Sequence, residues 1–83
     1  MFYMYVLYSP AIDRYYVGQT SDLRRRYTEH NSGCSKWTSR TNDWCLVYYE
    51  AYEARKYAQR REKALKKRAK GWTELLKRIG RKE

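Results

Sequence analysis

The chain has 83 residues, of which 42% are apolar types and 17% aromatic, with ten tyrosines and a formal net charge of +10. A chain of this size buries only about 60% of its unfolded surface, which excludes two separate cores, so residues 1–83 are read as one domain. The charge is lopsided: residues 1–54 set six basic side chains against six acidic ones, whereas residues 55–83 carry thirteen basic and three acidic. Such a stripe attracts a polyanion, nucleic acid ahead of an acidic membrane, with a merely solvated helix face as the plain alternative. Cys34 and Cys45 lie eleven positions apart in a chain with a single histidine, too few ligands for a structural zinc site, and are read as reduced thiols. The sequence shows no run of 18 apolar residues and no charged-then-apolar leader pattern, so a cytoplasmic protein with no membrane partner is expected.

Residues 2–8, FYMYVLY, are apolar and aromatic throughout, the profile of a strand covered on both faces. Phe2, Met4, Val6 and Tyr8 share one face; Tyr3, Tyr5 and Leu7 share the other. SPAIDR supplies turn residues and YYVGQ resumes strand character, so residues 2–19 read as an antiparallel hairpin that brings Tyr5 near Tyr16. Thr20 or Ser21 is the expected cap of a helix starting at Asp22 and stopping at Asn31 to Gly33. On that helix Leu23, Arg26, Tyr27 and His30 fall on one face, while Arg24 and Arg25 point elsewhere.

GCSKWTSRTND is a polar loop in which Lys36, Trp37, Thr38 and Arg40 either grip nucleic acid or, for Trp37, cover the core; WCLVYYEA is the third strand. From about Glu53 the period becomes helical through Ala54, Tyr57, Ala58, Arg61 and Leu65, with Glu62 at the edge of that stripe and flanked by Lys and Arg. Gly71 is expected to break the helix, and WTELLKRIG to form a short final helix with Thr73 as its cap and Leu75, Leu76 and Ile79 turned inward. The expected class is α+β: a small three-stranded antiparallel sheet flanked by helices, in the order strand, strand, helix, strand, helix, helix.

The succession of YMY, YVG ten residues later, a helix beginning SDLRRRYTEH and a lone glutamate in RREKALKK resembles the GIY-YIG nuclease superfamily, in particular its small stand-alone bacterial members. The likeness extends to the nuclease domains of homing endonucleases and of the incision enzyme of excision repair. No single piece is specific; the ordered combination is. The resemblance implies a metal-dependent endonuclease acting on DNA in repair or recombination, with structure-selective cleavage left open and one Mg²⁺ or Mn²⁺ ion per site. By position it assigns catalytic roles to Tyr5, Tyr16, Arg26, His30 and Glu62, with Glu62 the metal ligand. Lys36, Trp37, Arg40, Arg61 and Lys66 are the candidate DNA contacts. Tyr3 stands where the family has its first glycine, Met4 and Val17 replace isoleucines, and the C-terminal asparagine that some relatives use has no match in residues 63–83.

Phosphodiester hydrolysis needs an activated water, charge stabilisation on the non-bridging oxygens and help for the departing 3′ oxygen. One carboxylate suffices for Mg²⁺, which keeps several waters, and a guanidinium meets phosphate with two donors. Tyrosine is an awkward base because its phenol titrates near 10, so a nearby cation must lower that value or His30 or Tyr16 must relay the proton. Gly18 would let the strand end approach phosphate closely. The competing reading is a nucleic-acid-binding protein that keeps the nuclease fold without catalysis; a basic helix docking on membranes or a partner protein leaves the tyrosine strands without a purpose. DNA is the expected partner, and a specificity-providing protein a second candidate, in an oligomeric state that the sequence leaves open.

Overall fold

The computed structural model describes residues 1–33 and 38–80. Strand β1 runs Phe2–Ser9, β2 Arg14–Thr20, helix α1 Leu23–Asn31, strand β3 Cys45–Tyr52, helix α2 Arg55–Lys66 and helix α3 Lys70–Arg78, with a 3₁₀ turn at Thr38–Arg40. The sheet is antiparallel in the order β2-β1-β3, so the first strand is central. The α+β class, the element order and the hairpin are those expected.

Being central, β1 has to be apolar on both faces, and its alternation divides the core in two. Met4 and Val6 point to one side, where with Val17 they meet Leu65 of α2 and Trp72, Leu75 and Leu76 of α3. Tyr5 and Leu7 point to the other side and pack with Trp44, against Leu23 and Tyr27 of α1. On β3 the register slips between Val6 and Leu7, whose partners are Tyr48 and Leu46, so Val47 is the extra residue of a β-bulge. Val47 and Tyr48 consequently both reach the α2/α3 side.

Two helix boundaries differ from the expectation. Asp22, rather than Thr20 or Ser21, caps α1: its carboxylate accepts from Arg25 N at 3.1 Å. Thr20 instead accepts from Asp22 N through its hydroxyl at 3.1 Å and turns the chain into the helix. A carboxylate outranks a hydroxyl here because it also meets the positive end of the helix dipole. The second difference is the break before α3, which falls at Lys67–Ala69 rather than at Gly71; Gly71 lies within α3 and Ala69, not Thr73, holds the cap position. Arg68 takes the left-handed conformation there, φ 55°. Its guanidinium sits 4.0 Å from the Trp72 ring centroid and donates to the Tyr15 carbonyl at 3.2 Å, contacts that offset the backbone cost.

Two polar knots tie the elements. Asp43 accepts from Ser9 Oγ at 2.5 Å, Thr41 Oγ1 at 2.6 Å and Ala11 N at 2.9 Å, pinning the β1–β2 turn to the segment before β3. On the opposite edge Glu50 accepts from the Tyr48 hydroxyl at 2.7 Å, from the Tyr52 hydroxyl and from Arg61 Nε at 3.0 Å. Burial pushes the Glu50 carboxyl up, but these donors outweigh it and hold the group below its ordinary value.

Leu65 is fully buried between the sheet and α3. Leu65→Ala is therefore expected to cost about 2–5 kcal/mol, as large-to-small core substitutions do, read as a lower urea midpoint with an unchanged slope.

Candidate functional site

The second face of β1 carries the site. Tyr5 is 1% exposed, so its phenol hydroxyl has to find partners inside the protein. One is His30, fully buried at the end of α1, whose Nε2 lies 2.7 Å from the hydroxyl. Arg26, one helical turn earlier, brings its positive charge to bear on the same hydroxyl. The other imidazole nitrogen of His30, Nδ1, is 2.6 Å from Thr38 Oγ1. Tyr16 completes the group from β2, its ring 4.7 Å from the imidazole and 6.2 Å from Tyr5.

Gly18, the strand partner of Tyr5, makes this packing possible. A Cβ at that position would lie 2.5 Å from Tyr5 Oη, 2.6 Å from Tyr5 Cζ and 2.9 Å from Tyr16 Cε2. The glycine thus makes room for the two tyrosines themselves, a different use from the approach to phosphate expected of it.

The electrostatics set the resting protonation. Burial and the neighbouring Tyr16 raise the Tyr5 phenol above its ordinary value, with Glu62 adding to the rise, while Arg26 pulls the other way and does not win. Tyr5 therefore rests as the neutral phenol. Burial first, then the Arg26 charge, pushes the His30 imidazole down to about 4, against a smaller opposing effect of Glu29. Arg26 is held charged: burial opposes the charge, but Glu29, whose Oε1 accepts from Nη1 at 3.0 Å, and the tyrosines restore it.

Glu62 stands on α2 with Lys66 one turn later, Nζ to Oε2 2.8 Å. The Lys66 ammonium also lies 5.8 Å from the Tyr16 ring centroid. The carboxylate charge is felt at Tyr5, so the α2 acid belongs to the same electrostatic unit as the α1 and β1 groups. Beside it, Tyr15, Tyr16, Val17, Lys66 and Arg68 line an open cleft of about 350 Å³. Among the described residues no three His, Cys, Asp or Glu side chains converge as a ligand set. A lone carboxylate, outside the cleft lining and paired with its Lys66, suits a hard cation that keeps its own waters, and is a poor match for zinc.

Of the residues singled out in the sequence, Tyr5, Tyr16 and His30 come into direct contact, and Arg26 and Glu62 reach Tyr5 through their charges. Lys66 lies beside them as the partner of Glu62. Arg61 turns to the other edge, where it pairs with Glu50, and Arg40 is exposed on the 3₁₀ turn. Lys36 and Trp37 lie outside the described residues. Two contributors are new at the level of the structure. Glu29, three residues after Arg26, is legible in the sequence from helical spacing alone. Thr38 stands in a basic loop expected to face nucleic acid, and no local signal ties it to His30.

A family model described as the GIY-YIG catalytic domain matches residues 1–74. A UPF0213 protein of Clostridium perfringens is 38% identical over 68 residues, covering 81% of this chain and 72% of that protein. A UPF0213 protein of Streptococcus pyogenes serotype M3 is likewise 38% identical over 68 residues, covering 80% and 72%. Among solved structures, that of a UPF0213 protein from Bacillus halodurans, determined in solution by NMR, is similar with a TM-score of 0.56 and 29% identity over 96% of this chain and 86% of that one.

Because the folded value of His30 is depressed from 6.5 to about 4, the unfolded chain binds the extra proton between those limits. The contribution is complete above about 6.5 and is lost as pH falls toward 4, roughly 3 kcal/mol in all. Asp43 and Glu50, lowered from 3.8 and 4.5, act mainly below that window. Urea unfolding at pH 7 and pH 5 is therefore expected to show a loss of stability that His30→Asn largely removes.

Proposed function

This chain belongs to the GIY-YIG catalytic domain family, and from that premise we propose that it is a metal-dependent endonuclease that hydrolyses DNA phosphodiester bonds. The observation that carries the reading is the Tyr5 hydroxyl, held 2.7 Å from the one histidine and within the field of a charged arginine. A purely structural tyrosine needs one partner for its hydroxyl; this one has the imidazole as that partner and a permanent cation acting on it as well.

In the proposed reaction a water attacks phosphorus while Tyr5 Oη takes its proton and passes the phenol proton to His30 Nε2. The phosphorus–O3′ bond breaks, leaving a 5′ phosphate and a 3′ alkoxide that takes up a proton from solvent to become the 3′ hydroxyl. Both groups rest neutral, so neither ionises before substrate arrives, and an incoming phosphodiester anion stabilises the imidazolium that forms. Arg26 meets the non-bridging oxygens, where charge builds up in the transition state. Glu62 would hold Mg²⁺ or Mn²⁺ beside the scissile phosphate; such an ion, when bound, polarises the phosphate and stabilises the departing oxygen. Tyr16 packs against Tyr5 and His30 and helps hold both rings in place.

The exposed cations Arg55, Lys56, Arg60 and Lys63 of α2, with Lys67 at its C-cap, supply a sequence-independent grip on the backbone. Arg61, bound to Glu50, is less available for it. One observation favours a second reading, a nucleic-acid binder without catalysis: the Lys66 ammonium occupies Glu62 at 2.8 Å, where a metal would have to compete.

Labelled supercoiled plasmid, single strand, flap and four-way junction, incubated with Mg²⁺ or Mn²⁺, decide between the two. The endonuclease reading predicts metal-dependent cutting that falls about 100-fold or more in Arg26→Ala and Glu62→Gln, the usual scale for losing a transition-state donor. Salt-sensitive binding by wild type and both variants, with no cutting of any substrate, contradicts it and supports the binder.

A further inference from the structure

We propose that Thr38 is a positioning residue: its hydroxyl, 2.6 Å from His30 Nδ1, holds the imidazole in the Nδ1–H tautomer and so turns the Nε2 lone pair toward the Tyr5 hydroxyl. The inference deepens the endonuclease reading and rests on it for its catalytic meaning, but the arrangement can be tested without any cleavage.

The phenol sets the constraint. A buried hydroxyl has one proton to donate, and an unsatisfied one costs about 1–3 kcal/mol. Arg26, whose charge acts on Tyr5, carries donors only and offers the phenol proton no acceptor. The phenol proton therefore goes to His30 Nε2 at 2.7 Å, which has to be the unprotonated nitrogen. A neutral imidazole then carries its proton on Nδ1, and Thr38 Oγ1 is the acceptor placed to receive it.

Thr38 is itself fixed. It is fully buried, and its carbonyl accepts from Trp44 Nε1 at 2.9 Å. Asn31, the residue after His30, binds the Trp44 backbone from both directions: Nδ2 donates to the carbonyl at 2.9 Å and Oδ1 accepts from the amide at 2.8 Å. The hydrogen bonds thus close a ring, from His30 to Thr38 to Trp44 to Asn31 and back along the chain. A threonine serving only to fill space needs no such ring around its hydroxyl and carbonyl.

The chain has one histidine, so ¹⁵N-histidine labelling reports on His30 alone. Long-range ¹H–¹⁵N correlations at pH 7 identify the protonated ring nitrogen directly, because Nε2 couples to both carbon-bound ring protons and Nδ1 mainly to one. Wild type and Thr38→Ser are expected to show the Nδ1–H tautomer, and Thr38→Val to lose that preference, its two nitrogen shifts moving toward each other. An Nε2–H tautomer in wild type overturns the proposal, as do unchanged shifts in a folded Thr38→Val. Should that variant not fold, Nδ1–H in both wild type and Thr38→Ser supports the assignment, and Nε2–H in either overturns it. Where cleavage is measurable, Thr38→Val is expected to lower kcat about tenfold with KM unchanged, whereas an equal kcat would assign Thr38 to folding alone. Absence of cleavage in wild type bears on the endonuclease reading and leaves the tautomer result standing.

Discussion

A phenol hydroxyl in the middle of a central strand constrains everything around it. The Tyr5 ring cannot swing out of the sheet, because β1 is covered on both faces and the ring is buried. Its hydroxyl therefore dictates what stands next to it: glycine at the paired strand position, arginine and histidine on the first helix, and a buried threonine behind the histidine. The helix can supply Arg26 and His30 together because residues four apart share a face, and the Asp22 cap fixes where that face begins.

The same strand separates two kinds of polar chemistry. On the α2/α3 side, Glu50 is saturated by two tyrosines and Arg61, a closed network with its acid fully engaged. On the α1 side, Tyr5 and His30 are both neutral but sit next to fixed charge, Arg26 close by and Glu62 acting across the β2 edge. The first network holds β3 against α2. Arg61 and Glu62 are neighbours on α2, so the grip on Glu50 also restricts how the helix can rotate and with it where Glu62 points. Burial on one side and anchoring on the other act on the same short helix.

Periodicity and chemistry make much of this legible in the sequence. The alternation in FYMYVLY assigns Met4 and Val6 to one core and Tyr5 and Leu7 to the other, and helical spacing puts Leu23, Arg26, Tyr27 and His30 on one face. The family resemblance supplies what periodicity cannot, the link from these groups to Glu62 some thirty residues away in sequence. What escapes is whatever depends on exact register or on a long-range contact. Arg61 reads as a DNA contact because nothing in the sequence shows that Glu50 lies opposite it. Gly71 reads as a helix breaker because glycine usually is one, whereas stacking on Trp72 lets Arg68 take the left-handed turn instead. Thr38 lies in a basic loop and groups with its charged neighbours, while its hydroxyl faces inward to His30.

The central claim is that a single hydroxyl organises the site and takes part in the chemistry, and Tyr5→Phe tests it most directly. The substitution keeps the ring that fills the core and removes one oxygen. Single-turnover cleavage of the best substrate is predicted to fall at least about 100-fold, the scale of a lost acid–base group, while the protein stays folded by circular dichroism. A folded Tyr5→Phe that cuts at the wild-type rate would contradict the account.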